Sequence, residues 1–185
     1  RRQRQMCIRD RSDGVHNALN ALWIGFLKVM NEIEGICGNE KVAETDEVIR
    51  SFYKAFYNDE TGLFCDSESK THSAVHSNIF PLLFGIYGKD EELKKRLVKM
   101  IYDKKLNSMG VYMAYFALAA LVENGERDKA IELTLDKNAW LNMIKEGATT
   151  TFEAWGKEQK WNTSLFHPWA VAPLIVFNES GIKVY

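Results

Sequence analysis

The chain has 185 residues, 46 % of them apolar and 26 % charged, which suits one ordinary globular domain with a sizeable core. Its formal net charge of -1 gives no global field that would recruit nucleic acid or an anionic membrane surface. No apolar run is long and clean enough to cross a bilayer, and no stretch reads as a secretory signal.

The first eleven residues stand apart. Arg1, Arg2, Arg4, Arg9 and Arg11 crowd a stretch without apolar period. A basic arm for nucleic acid is one reading. The run from Gln5 through Met6, Cys7, Ile8, Arg9 and Asp10 to Arg11 instead resembles a translated sequencing adaptor. Residues 1–11 are therefore set apart as a non-native or disordered tail, and the domain is taken as 12–185.

From Asp13 onward the pattern is helical, and the helices differ in character. Residues 21–27 are apolar around most of a helix. Val48, Ile49, Phe52 and Phe56 make one stripe on a segment that also carries Glu47, Arg50 and Lys54. The segment 57–71 is the exception to helix: Asn58, Asp59, Glu60, Thr61 and Gly62 read as a turn leading into a short extended piece. Residues 79–86 are almost wholly apolar. Leu93, Leu97 and Ile101 form a stripe opposite Lys94, Lys95 and Lys99. Residues 111–122 hold no charge. Ala130, Ile131 and Leu133 sit among Glu126, Arg127, Asp128, Lys129 and Glu132, and residues 169–177 are apolar throughout.

Helices apolar on every side thus alternate with one-sided ones, about seven in all. The first kind demands burial all round and the second has water at its back. The alternation predicts an inner and an outer layer, an incomplete (α/α)6 toroid of helical hairpins, rather than a bundle with similar stripes on every helix or a solenoid with a fixed repeat. Pro81 and Pro173 predict bends or boundaries in two inner helices.

Polar residues gather at the starts of the inner helices. Ser12, Asp13, His16 and Asn17 precede or open the first, His72 and His76 the third, Gly110 and Tyr112 the fifth, and Glu153, Trp155, Trp161 and His167 the seventh, with Pro168 suited to its first turn. In a double ring the inner helices run parallel, so these groups are expected around one mouth. The segment 147–169 is the richest: one carboxylate, one imidazole and three tryptophans, separated by small polar residues. Aromatic faces cover apolar faces of sugars, while an acid and an imidazole bind hydroxyls or move protons. Trp23 and Trp169 are read as core. Glu153 reads either as a solvated surface group or structural partner or, in its semi-apolar setting between Phe152 and Trp155, as a candidate carboxylate for base or acid work. It cannot serve if it is buried against a cation or turned away from the mouth.

Other chemistries find little support. His72 and His76 are four residues apart, but the segment lacks the glutamate of a zinc-protease motif and a nearby third ligand. The acidic turn at Asn58, Asp59 and Glu60 with Asp66 lacks calcium-loop spacing. There is no glycine-rich phosphate loop, so neither metal nor cofactor is expected. Of three cysteines, Cys37 and Cys65 read as small reduced residues, and the compartment stays open.

Residues 72–78, residues 109–112 and above all 147–155 with 161–173 resemble the catalytic domain of bacterial α-L-rhamnosidases, glycoside hydrolase family 78. The resemblance spans residues 13–185 and implies a six-hairpin (α/α)6 barrel with its site at one end. It implies inverting removal of terminal α-L-rhamnose from glycosides, with Glu153 as the general base and His167 near the sugar hydroxyls. Trp155, Trp161, His72 and His76 are further candidates for lining the pocket. It also implies that the general acid lies in an N-terminal half of the barrel and that a C-terminal β-domain follows, so the chain alone is expected to be inactive. The alternatives are another sugar-active α/α barrel, of glucoamylase or trehalase type, and a non-enzymatic helical scaffold that binds partners.

Overall fold

In a computed structural model, which describes residues 14–68 and 71–181, the fold is all-α. Eight α-helices and one two-stranded ribbon make up the regular structure among the described residues, together with two 3-10 turns. The tail 1–11, with Cys7, lies outside the described residues, as do Ser12 and Asp13. The chain divides into two compact units, Arg1–Leu97 and Val98–Tyr185.

In the first unit, α1 (Asn17–Cys37) packs against α2 (Thr45–Phe56) and α3 (His76–Leu83). Gly38 ends α1 in the left-handed region at φ 77°, where its N–H reaches the Gly35 carbonyl and that of Asn39 reaches the Glu34 carbonyl. Only glycine takes that conformation cheaply. α2 has Asp46 and Glu47 in its first turn and Lys54 in its last, matching the helix dipole. Its stripe buries Phe52 and Phe56. The ribbon pairs β1 (Tyr57–Asn58) with β2 (Leu63–Phe64) across the predicted turn. Asn58 makes that turn by accepting the Glu60 N–H on its side chain at 2.8 Å.

Two buried asparagines tie the ribbon to the helices. Asn78 accepts the Phe64 N–H and donates to the Phe64 and Ala74 carbonyls. Asn17 donates to the Cys65 carbonyl. Cys37 is an exposed free thiol and Cys65 a buried one. α4 (Glu91–Lys104), in which the unit boundary falls, is capped by the Asp90 carboxylate on the Leu93 N–H. It buries Leu93, Leu97 and Ile101 as the stripe required.

In the second unit, α5 (Val111–Glu123) packs on α6 (Arg127–Thr134) and on α8 (Ala172–Glu179). Ala114, Ala117 and Ala120 are fully buried on α5, which lets neighbouring backbones approach. An eighth helix, α7 (Trp140–Lys145), falls in a stretch to which the sequence pattern assigned no element. Six residues are too few to display a period. Pro81 sits inside α3, two residues before its end, so it coincides with a boundary more than a bend. Pro173 occupies the first turn of α8, where its missing N–H costs nothing.

Two expectations need correcting. α1 was to be buried on every side, yet Leu19, Leu22, Phe26, Val29, Ile33 and Ile36 are exposed, and Trp23 is 53 % exposed. An apolar circumference states a demand for cover, and the described residues supply cover on one face only. Trp169, also read as core, is 67 % exposed, because it stands on the 3-10 turn Pro168–Ala170 that precedes α8 and not within the helix.

Candidate active site

The segment 147–169 folds back on itself in the second unit. The Glu153 N–H donates to the Ser164 carbonyl at 2.9 Å, and the His167 N–H to the Thr151 carbonyl at 2.8 Å. The Thr151 hydroxyl returns a bond to the His167 carbonyl at 2.6 Å. These pairings hold the stretch that carries Glu153 against the stretch that carries His167, although fourteen positions separate them in sequence.

Beneath this fold-back lies Trp155, only 4 % exposed. Its indole N–H donates to the Met109 carbonyl at 2.7 Å, and its ring meets that of Trp140 edge-on at 4.9 Å. Trp140 donates in turn to the Ala170 carbonyl. Both buried indoles therefore have partners, as such groups require. Trp155 supports the loop from below and does not reach solvent. Trp161 does the opposite, standing 85 % exposed at the outside of the loop.

Glu153 keeps 33 % of its side-chain surface in solvent. Its Oε1 lies 2.8 Å from the Lys160 ammonium and its Oε2 accepts the Ser164 N–H at 3.2 Å. The bond from Lys160 holds the carboxyl below its ordinary value, with help from the Ser164 N–H and from the charge of His167. The group thus has a cationic neighbour, but it is not buried against it. It stays ionised and open to water, which is the state a general base needs.

Beyond His167 the aromatic surface continues. The His167 ring is 5.4 Å from that of Trp169, which is 5.9 Å from Tyr112 on the first turn of α5. Tyr112 is 56 % exposed and its ring meets Phe116 at 5.6 Å. A carboxylate, an imidazole, an indole and a phenol thus follow one another on one exposed surface. Tyr112 was expected at the mouth without a binding role, and Trp169 was read as core. The signal for Trp169 was the proline at 168, which starts a short turn and leaves it outside the helix.

His72 and His76 belong to the first unit. His72 donates from Nδ1 to Asp66 at 2.5 Å, while Asp66 also accepts the Ala74 N–H at 2.6 Å and the Ser77 hydroxyl at 2.7 Å. Burial pushes the Asp66 carboxyl up, but these bonds outweigh it and hold it below its ordinary value. Asp66 and His72 thereby fasten the start of α3. Burial holds His76, the first residue of α3, below the ordinary histidine value, and the nearby Asp66 opposes this in part. Among the described residues no group of three or more His, Cys, Asp or Glu side chains is placed to hold a metal ion. The first unit also has an open groove of about 560 Å³ lined by Lys54, Tyr57, Asn58, Asp59, Glu60 and Cys65, and none of the expected site residues lines it.

Residues 10–179 match the family described as the bacterial alpha-L-rhamnosidase 6 hairpin glycosidase domain. The match covers most of the chain, and the chain belongs to that family. The domain is an all-α toroid of helical hairpins, and it makes this protein a rhamnosidase-like glycosidase acting on carbohydrate. No curated protein matches the chain. Membership in a glycosidase family sets aside the non-enzymatic scaffold.

Proposed function

We propose that Glu153 is the general base of an inverting glycosidase that removes terminal α-L-rhamnose. The observation that carries this reading is an ionised, solvent-accessible carboxylate at one end of a run of His167, Trp169 and Tyr112, inside the stretch matched by the glycosidase family. In the step proposed, Glu153 takes a proton from a water whose oxygen bonds to the anomeric carbon. The glycosidic carbon–oxygen bond breaks, and the leaving oxygen takes its proton from a second carboxyl. An inverting pair stands about 6.5–9.5 Å apart to admit the water.

His167 is assigned to the sugar hydroxyls. Trp169 and Tyr112 offer ring faces to the apolar side of the sugar, and Trp161 is assigned to the outer edge of the same surface. Trp155 holds the loop from beneath. No role in binding is given to His72, which is engaged by Asp66, or to the largely buried His76.

The general acid is assigned to hairpins outside this chain. The support is physical: the apolar face that α1 leaves exposed among the described residues is suited to receiving further helices. On this reading the isolated chain carries a base without an acid and does not turn over. The deciding experiment is Glu153→Gln in the enzyme that carries the whole domain. Hydrolysis of an aryl α-L-rhamnoside is expected to fall by about 10²–10⁴-fold with an unchanged melting temperature. Turnover that survives would remove Glu153 from the base position.

A further inference from the structure

Lysine–glutamate pairs on protein surfaces are usually worth little, because two long side chains must be held in one geometry. Lys160 differs in how its backbone is held. Its N–H donates to the Thr163 hydroxyl at 3.2 Å, and that hydroxyl donates back to the Lys160 carbonyl at 3.1 Å. The preceding Gln159 accepts the Trp155 N–H on its side chain at 2.8 Å and gives its own N–H to the Gly156 carbonyl. Upstream, Glu146 accepts the Lys157 N–H at 2.6 Å, and Asn142 donates to the Trp155 carbonyl. The loop passes so close to Glu146 that a Cβ on Gly156 would lie 2.8 Å from Oε1 of that residue. The other lysine of the loop, Lys157, lies over the Phe152 ring at 5.9 Å and not against Glu153.

We infer that Lys160 is a positioning residue for Glu153: its ammonium on Oε1 and the Ser164 N–H on Oε2 fix the plane of the carboxylate and leave each oxygen a second lone pair for a water. The inference rests on the reading of Glu153 as the base. The charged groups that act on this carboxylate are Lys160 and His167. Lys160 is the one in contact, and its bond is the largest influence that favours the ionised carboxylate, ahead of the Ser164 N–H. A positive charge at Oε1 favours the ionised form and extends activity toward acid.

The test is a pH profile of kcat/KM for Lys160→Met and Lys160→Arg in the enzyme carrying the whole domain, with Glu153→Gln beside them. Lys160→Met is expected to move the acid limb to higher pH and to lower the plateau about tenfold or more, as a misplaced catalytic group does. Lys160→Arg keeps the charge and keeps the acid limb in place. A Lys160→Met profile that superimposes on the parent overturns the inference. Turnover in Glu153→Gln overturns the base reading instead, so the two failures are distinct. A readout without turnover is the carboxyl carbon resonance of Glu153 in the enzyme carrying the whole domain. Its titration midpoint rises in Lys160→Met and holds in Lys160→Arg, and a midpoint unmoved in both overturns the inference.

Discussion

The carboxylate of Asp66 accepts three hydrogen bonds, from the Ala74 N–H, the Ser77 hydroxyl and His72, whereas that of Glu153 accepts two and keeps part of its surface in water. That difference separates a structural acid from a reactive one. Both stay ionised, but Asp66 has spent three of its four lone pairs within the protein and Glu153 only two. Its carboxyl is held below the ordinary value on folding, so as pH falls the unfolded chain takes up the proton first. The stability it contributes is whole above about pH 4, the usual carboxylate value, and is lost as pH falls through the lower folded value. Asp66→Asn is therefore expected to cost about 1 kcal/mol or somewhat more at pH 7, the usual penalty for disturbing a part-buried charged acceptor. Urea melts of the two proteins should converge below pH 4. A gap that persists in acid would assign the cost to geometry and not to charge. Asp66 went unnoticed as a fastening point in the sequence, because its donors come from residues whose approach depends on the ribbon and α3 being docked first.

At the scale of the elements, α1 carries two glycines with opposite requirements. Gly25 is buried, and a Cβ there would meet the Phe84 ring at 2.6 Å. Gly35 has nothing within 4 Å. Alanine favours a helix over glycine by about 0.5–1 kcal/mol. Gly35→Ala is therefore expected to stabilise the chain by about that amount. Gly25→Ala meets overpacking of about 1–3 kcal/mol and should destabilise it. Thermal melts of the two variants against the parent check both signs, and a stabilising Gly25→Ala would mean that Phe84 moves aside freely. Most elements were legible because stripe and periodicity are local: Phe52 and Phe56 on α2, or Leu93, Leu97 and Ile101 on α4, lie on one face whatever surrounds them. The fold-back joining Thr151 to His167 was not legible. It depends on backbone pairing between irregular segments, and neither segment has a period. Glu153 and His167 stood out through the family resemblance of residues 147–173 and not by residue type alone, while Trp169 was misjudged because a tryptophan opening an apolar run looks like core until the turn at Pro168 places it outside.

For the whole molecule, the exposed positions on α1 carry the strongest consequence. Leu19, Leu22, Phe26, Val29, Ile33 and Ile36 recur in alternating steps of three and four residues, with Trp23 stacked on Phe26 at 5.3 Å. That spacing keeps one apolar seam on one side of a helix and is suited to receiving another helix. A seam of this kind left in water drives association, since apolar area contributes about 25 cal/mol per Å² when covered. The isolated chain is therefore expected to self-associate at micromolar concentration and to show no hydrolysis of an aryl α-L-rhamnoside, the first because the seam is bare and the second because the acid is assigned to the helices that would cover it. Phe26→Glu combined with Ile33→Glu should return the chain to a monomer without loss of helix signal, because both side chains point away from the face that packs on α2 and α3. Sedimentation reads the first expectation and circular dichroism the second. In the enzyme that carries the whole domain the same pair should do the reverse, lowering the melting temperature by placing two carboxylates against apolar neighbours. A parent chain that sediments as a monomer, or a double variant that leaves the whole enzyme's melt unchanged, would show that no helix is seated on α1.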